Sequence, residues 1–229
     1  MTILRSLLQV LQQFLPVLQQ LIPWFVGLAV ILLLRYLGSQ LQHPSGWLGR
    51  DFMAPLFNSG NRTLLDACLK CLAAKSGDRV ADIGFGGGYA IDQLIPVVRP
   101  ERPIGVDVSE MMVEVATERW DDRVEVYLAA ASDMPLSSGT LDAVLTVNTI
   151  YFWSDPVTVL KEIRRVLKPT GRLVIGVRKA SFLRLLPITW FRFRYYSEAR
   201  LTTVLAESGF DTRFEEGGGG LIAIATPRS

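Results

Sequence analysis

Four glycines, Gly84, Gly86, Gly87 and Gly88, fill four of five positions directly after the short apolar run Val80-Ala81-Asp82-Ile83. Residues without a Cβ let backbone N–H groups approach a ligand closely, and a glycine-rich turn at the carboxyl end of a strand is where open α/β sheets hold one. A further acid, Asp107, closes the next apolar run, "PIGVD". It stands about 20 residues beyond the turn, where a carboxylate can accept hydrogen bonds from ribose hydroxyls. Turn and carboxylate together suit a nucleoside-like ligand.

Other chemistries have less to build with. His43 is the only histidine in the chain, so Ser-His-Asp catalysis and histidine-based metal sites lack their parts, and no metal is expected. A nicotinamide fingerprint needs a third glycine where Tyr89 stands, and no Gly-Lys-Ser/Thr follows to make a phosphate loop. Cys68 and Cys71, the only cysteines, share one helical face with Leu64, Leu65 and Leu72 and read as core residues. They form no disulfide framework, which places the catalytic part in a reducing compartment.

The elements that must position the turn alternate in type. "TLLDACLKCLAAK", "YAIDQLIPVV", "SEMMVEVATERW" and "DPVTVLKEIRRVL" have helical patterns, while "RVADIG", "PIGVDV", "VEVYLA", "LDAVLTVN" and "RLVIGV" read as strands. That alternation predicts an α/β, Rossmann-like, doubly wound sheet, mostly parallel and covered on both faces. "FDTRFEEGGGGLIAIAT" predicts two strands around a glycine turn, so the sheet should end in an antiparallel hairpin.

An acid followed by G-x-G-x-G, as in Asp82-Ile83-Gly84-Phe85-Gly86-Gly87-Gly88, resembles the first motif of the class I S-adenosylmethionine-dependent methyltransferases. Asp107, the "RVLKPTGRL" turn, "ESGF" and the closing hairpin continue the resemblance over roughly residues 45–226. It implies S-adenosylmethionine as cofactor, with the methionine end held by Asp82 and the 84–88 turn, the ribose by Asp107 and the adenine beside Met112. The cofactor-binding set it implies is Asp82, Gly84, Phe85, Gly86, Gly88, Asp107, Val108, Met112, Ala131, Ser132 and Asn148. Ala130 stands where the family carries an aspartate that reaches the adenine amino group; Ser132 and Asp133 are the neighbouring polar residues able to replace it.

A sulfonium carries its own leaving group, so methyl transfer asks the protein chiefly to align a nucleophile and exclude water. The acceptor is expected where "LDAVLTVN" ends, at Asn148-Thr149-Ile150-Tyr151-Phe152-Trp153, with Asn148, Tyr151 and Trp153 as candidate catalytic residues. Phe152 and Trp153 can equally be core. Asn148 and Tyr151 have the spacing of the Asn-Pro-Pro-Tyr motif of amino-directed nucleic-acid methyltransferases, without its prolines. A net charge of +2 gives no electrostatic case for a nucleic-acid partner.

Residues 6–34 contain no charged side chain, and "LIPWFVGLAVILLL" is apolar throughout before Arg35 and Tyr36. Residues 1–42 are expected to be an anchor and linker, and residues 43–229 the catalytic domain, with linker composition beginning at "GSQLQ". The segment can span a membrane, lie in its interface, or pair with a second copy to give a homo-oligomer. Residues 178–200 interleave Arg178, Lys179, Arg184, Arg192, Arg194 and Arg200 with aromatic and aliphatic side chains. They suit a lid on anionic headgroups, or an amphipathic segment with a solvated basic face. A membrane-associated enzyme facing the cytosol, with a small or lipid acceptor, is the expectation; a catalytically silent cofactor-binding or scaffolding protein at the membrane is the alternative.

Overall fold

The computed structural model describes residues 2–42, 54–191 and 193–228. His43, Arg192 and the boundary expected near residue 43 lie outside them. The chain forms helices α1 (Thr2–Gln42), α2 (Ala54–Leu72), α3 (Tyr89–Leu94), α4 (Glu110–Trp120), α5 (Pro156–Val166), α6 (Ala180–Leu183) and α7 (Glu198–Glu207). The strands are β1 (Val80–Ile83), β2 (Ile104–Asp107), β3 (Glu125–Leu128), β4 (Leu141–Val147), β5 (Leu167–Arg178), β6 (Phe210–Gly217) and β7 (Gly220–Pro227).

One seven-stranded sheet runs β3-β2-β1-β4-β5-β7-β6. β1 to β5 are parallel, and β7 pairs antiparallel with both β5 and β6. Every residue of β1 is buried, as a central parallel strand covered on both faces requires. One core packs α5 and α7 against the sheet around Leu160, Ile163, Leu201 and Phe210. A second sets α2 on the opposite face through Leu64, Cys68 and Leu72.

Local sequence sets the helix starts. Asp155 caps α5 by accepting from the Val157 and Thr158 amides, with Pro156 at the first helical position. Ser109 caps α4 and Ser197 caps α7 in the same way. Gly209, at φ 82°, turns the chain out of α7 into β6. β5 exceeds the expected "RLVIGV": Leu167 already pairs with Leu141, followed by an irregularity in register.

α1 is one continuous helix, so "GSQLQ", expected to open a linker, instead completes it. Gln19–Gln40, 22 residues, is apolar and long enough to cross a membrane. It spans about 33 Å at 1.5 Å per residue, against a hydrocarbon core of about 30 Å. Trp24 is 78% exposed, so the domain does not cover this surface.

Candidate functional site

The order of the strands reverses between β1 and β4, and the crevice beyond their carboxyl ends is where an open α/β sheet binds its ligand. The glycine turn enters that crevice from β1. Gly84, Gly86 and Gly88 all have positive φ (71°, 51° and 77°). A Cβ at Gly84 would strike Thr149 Cγ2, and one at Gly88 would strike the Trp120 indole. The turn is therefore glycine-rich because of both its dihedrals and its neighbours.

Hydrogen bonds hold the turn from both sides. The Gly84 amide donates to the Val106 carbonyl at 2.7 Å, and the Gly86 amide to Asp107 Oδ2 at 3.3 Å. Arg119 donates to the Gly87 carbonyl at 3.1 Å and pairs with Asp92. Thr146 donates its hydroxyl to the Ile83 carbonyl at 2.9 Å, which leaves it an acceptor for Thr149. The Phe85 ring turns inward and meets Trp120 edge-on at 5.9 Å. That ring is therefore part of the core beneath the turn.

Asp107 also accepts from the Ser109 amide at 3.0 Å, so its carboxylate is oriented by two backbone donors. Exposed Val108 and Leu128 flank it at the ends of β2 and β3. Met112 is buried under the turn, Ala131 is half-buried, and Ala130, Ser132 and Asp133 are exposed on the loop after β3. Asp82 is only 3% exposed. Burial first, then the charge of Asp107, pushes its carboxyl up to about 7.

At the end of β4, Asn148 adopts φ 60°, an uncommon conformation that asparagine tolerates better than most residues. Its side-chain amide donates to Asn61 Oδ1 at 2.9 Å, and its Oδ1 accepts from the Tyr151 hydroxyl at 2.9 Å. The Arg178 amide donates to the Tyr151 oxygen at 2.6 Å. Tyr151 is 2% exposed, and burial holds its phenol above the ordinary range. The ring stacks on Phe193 at 5.1 Å, with Phe152 edge-on to Phe193 at 4.8 Å. Trp153 lies in the core with Tyr151, while Phe152 is half-buried at its edge.

The structure thus brings Asp82, the glycine turn, Asp107 and Asn148 to one crevice, and buries Tyr151 and Trp153 behind it. Asn61, Arg119 and Trp120 carry no sequence signal for the site, because only chain crossovers bring them to the turn and to Asn148. Thr149 and Arg178 are expected only as parts of the acceptor edge and the basic segment, and their contacts with Gly84 and Tyr151 come from packing. Cys68 is buried with its thiol pushed up by desolvation, and Cys71 donates to Glu215 at 3.4 Å, so neither faces the crevice. Among the described residues, no group of three His, Cys, Asp or Glu could hold a metal ion. Within the expected basic lid, Arg178 ends β5, and Lys179 pairs with Glu216.

Residues 81–175 match the methyltransferase domain family. An uncharacterized methyltransferase of Bacillus subtilis is 32% identical over 119 residues, covering 52% of this chain and 66% of that protein. Demethylmenaquinone methyltransferase of Clavibacter sepedonicus is 35% identical over 111 residues, 48% of this chain and 44% of that protein. The crystal structure of an S-adenosylmethionine-dependent methyltransferase from Aquifex aeolicus superimposes with a TM-score of 0.61 at 26% identity, covering 75% of this chain and 92% of that one. The chain spans between 34% and 66% of the length of the first curated relatives it matches.

Proposed function

The chain carries a methyltransferase domain of the S-adenosylmethionine-dependent family over residues 81–175, and on that premise we propose that it methylates a small lipophilic acceptor drawn from a membrane. The observation that carries the reading is the fastening of the glycine turn to Asp107 through the Gly86 amide.

The residues present fit the cofactor. Asp107, oriented by two amides at the end of β2, stands where a carboxylate accepts from ribose hydroxyls, and Val108 and Leu128 offer an apolar slot to an adenine ring. Asp107 supplies negative charge beside the turn and Asp82 adds to it where it ionises, above about pH 7, which suits a cationic ligand. When bound, S-adenosylmethionine supplies an electrophilic methyl group on a leaving group that needs no protonation.

The chain's own residues then orient and desolvate. Asn148, braced by Asn61 and Tyr151, lines the crevice where the acceptor meets the cofactor. Tyr151 acts as a positioning residue, because its hydroxyl already donates to Asn148 and accepts from the Arg178 amide. Phe152 and Phe193 form an apolar wall that favours a lipophilic acceptor and excludes water.

Support for the membrane half comes from the apolar stretch of α1 and from the relative named for demethylmenaquinone, an acceptor of this class. A cofactor made in the cytosol supports a domain facing that side. The test is transfer of labelled methyl from S-adenosylmethionine into a total membrane-lipid extract, with Asp107→Ala as control. Label in the lipid-soluble fraction that disappears with Asp107→Ala is the expected result. Cofactor binding with no label in any acceptor pool would leave the protein a silent binder at the membrane.

A further inference from the structure

We propose that residues 180–191 and the carboxyl end of α1 form one interfacial platform that seats the domain on an anionic lipid bilayer. The proposal rests on the membrane part of the reading above and is independent of methyl transfer.

The carboxyl end of α1 packs against the 3-10 turn Pro187–Thr189, and Gly38 and Gln40 are buried there. Arg35 and Tyr36, one turn earlier, are exposed, and beyond them α1 is apolar and uncovered back to Trp24. Arginine and tyrosine at the end of such a stretch belong at the level of lipid headgroups. Between Tyr36 and Gln40 the helix rises about 6 Å, so the packed segment sits at that same level.

Within residues 180–191, Thr189 and Trp190 spend their polar groups on the segment's own backbone. The Thr189 hydroxyl lies 2.7 Å from the Leu183 carbonyl and 2.8 Å from that of Leu186, and the Trp190 indole N–H donates to the Arg184 carbonyl at 3.0 Å. Apolar side chains point out: Phe182 is 51% exposed, Leu185 77% and Trp190 61%, with Phe191 beside them. This is a cluster within ten residues rather than scattered single side chains, the kind of patch that marks an interaction surface.

The segment that carries the cluster is charged in one sign only. Residues 180–197 contain no Asp or Glu. Arg184 lies over the Tyr195 ring at 5.6 Å, and Arg194 donates to the Ser154 carbonyl at 2.7 Å, so both exposed guanidinium groups are held at the rim. Rings flanked by fixed cations, continuous with a helix long enough to span, match an anionic bilayer surface. Phe193 and the Arg194 amide, which donates to the Tyr151 carbonyl at 3.2 Å, tie the segment to the end of β4. Seating it on lipid turns the acceptor side of the crevice toward the bilayer.

The test uses the full chain in nanodiscs of phosphatidylcholine with or without phosphatidylglycerol. Nitroxide labels are placed singly through Leu185→Cys, Val30→Cys and Thr203→Cys in a Cys71→Ser background, buried Cys68 being left in place. Oxygen and nickel-chelate accessibilities report depth, and circular dichroism checks that each variant is folded. The label at 185 is expected to favour oxygen several-fold more in the anionic discs than Thr203→Cys does, and to lose that preference when Arg184→Glu is added. An aqueous label at 185 with a lipid-buried one at 30 overturns the platform and leaves the anchor standing; aqueous labels at both overturn the anchor as well. Equal depth in both lipid compositions overturns the anionic assignment. Dipolar broadening between labels at 185 assigns the patch to a second copy and overturns the proposal.

Discussion

The Gly86 amide donates to Asp107 Oδ2 across 3.3 Å, which makes the glycine turn after β1 and the end of β2 a single unit. Asp107→Ala removes that bond, the one from the Ser109 amide and the acceptor proposed for the ribose together. Hydrogen bonds to a charged group contribute about 1.5–3 kcal/mol each, so S-adenosylmethionine affinity should fall by roughly tenfold to hundredfold or more. Calorimetric titration of both proteins checks this; an unchanged affinity would remove Asp107 from the site.

Asp82 provides the pH dependence. Its folded carboxyl, at about 7, lies above its ordinary value of 3.8, so the folded state keeps a proton that the unfolded chain releases. The stabilisation from this group is complete below the lower value and is lost as pH rises through the upper one. A sulfonium ligand favours the ionised carboxylate, so cofactor affinity should instead rise with pH, by up to about tenfold per unit below about pH 7. Asp82→Asn should flatten that dependence, as binding titrations across the range would show.

Gly88 begins α3 with a left-handed backbone pressed against Trp120. For Gly88→Ala, the left-handed conformation costs about 1–2 kcal/mol and overpacking about 1–3 kcal/mol. Urea denaturation should show a loss within the sum of those ranges. A loss below the smaller figure would mean that Trp120 moves aside at little cost.

Tyr151→Phe separates positioning from proton transfer. Removing the hydroxyl takes one partner from the Arg178 amide and one from Asn148, at a cost in stability of about 1–2 kcal/mol. With its phenol held above the ordinary range, Tyr151 is not expected to take up the acceptor's proton. Methyl transfer should keep kcat within about tenfold, because general-base loss characteristically costs 10²–10⁴-fold. A kcat collapse with unchanged cofactor affinity and an altered pH profile would place Tyr151 in the chemistry.

Strand and helix periodicity, the glycine spacing, the carboxylate that closes β2 and the final hairpin were all legible in the sequence. Each is a local pattern, set by dihedral preference or by alternation of buried and exposed side chains. The apolar content of residues 21–34 was legible for the same reason. The end of α1 was not: "GSQLQ" has linker composition, yet Gly38 and Gln40 are helical and buried because the turn at 187–189 covers them. Tertiary structure alone put Thr149 against Gly84 and Trp120 against Gly88, bound Asn61 to Asn148, and turned the Tyr151 hydroxyl inward. Those contacts join residues far apart in the chain, and a close approach between them depends on how strands cross over and helices pack. Sequence spacing therefore determined which ligand chemistry the turn can serve, and packing decided which neighbours hold it and which aromatic side chains remain at the surface.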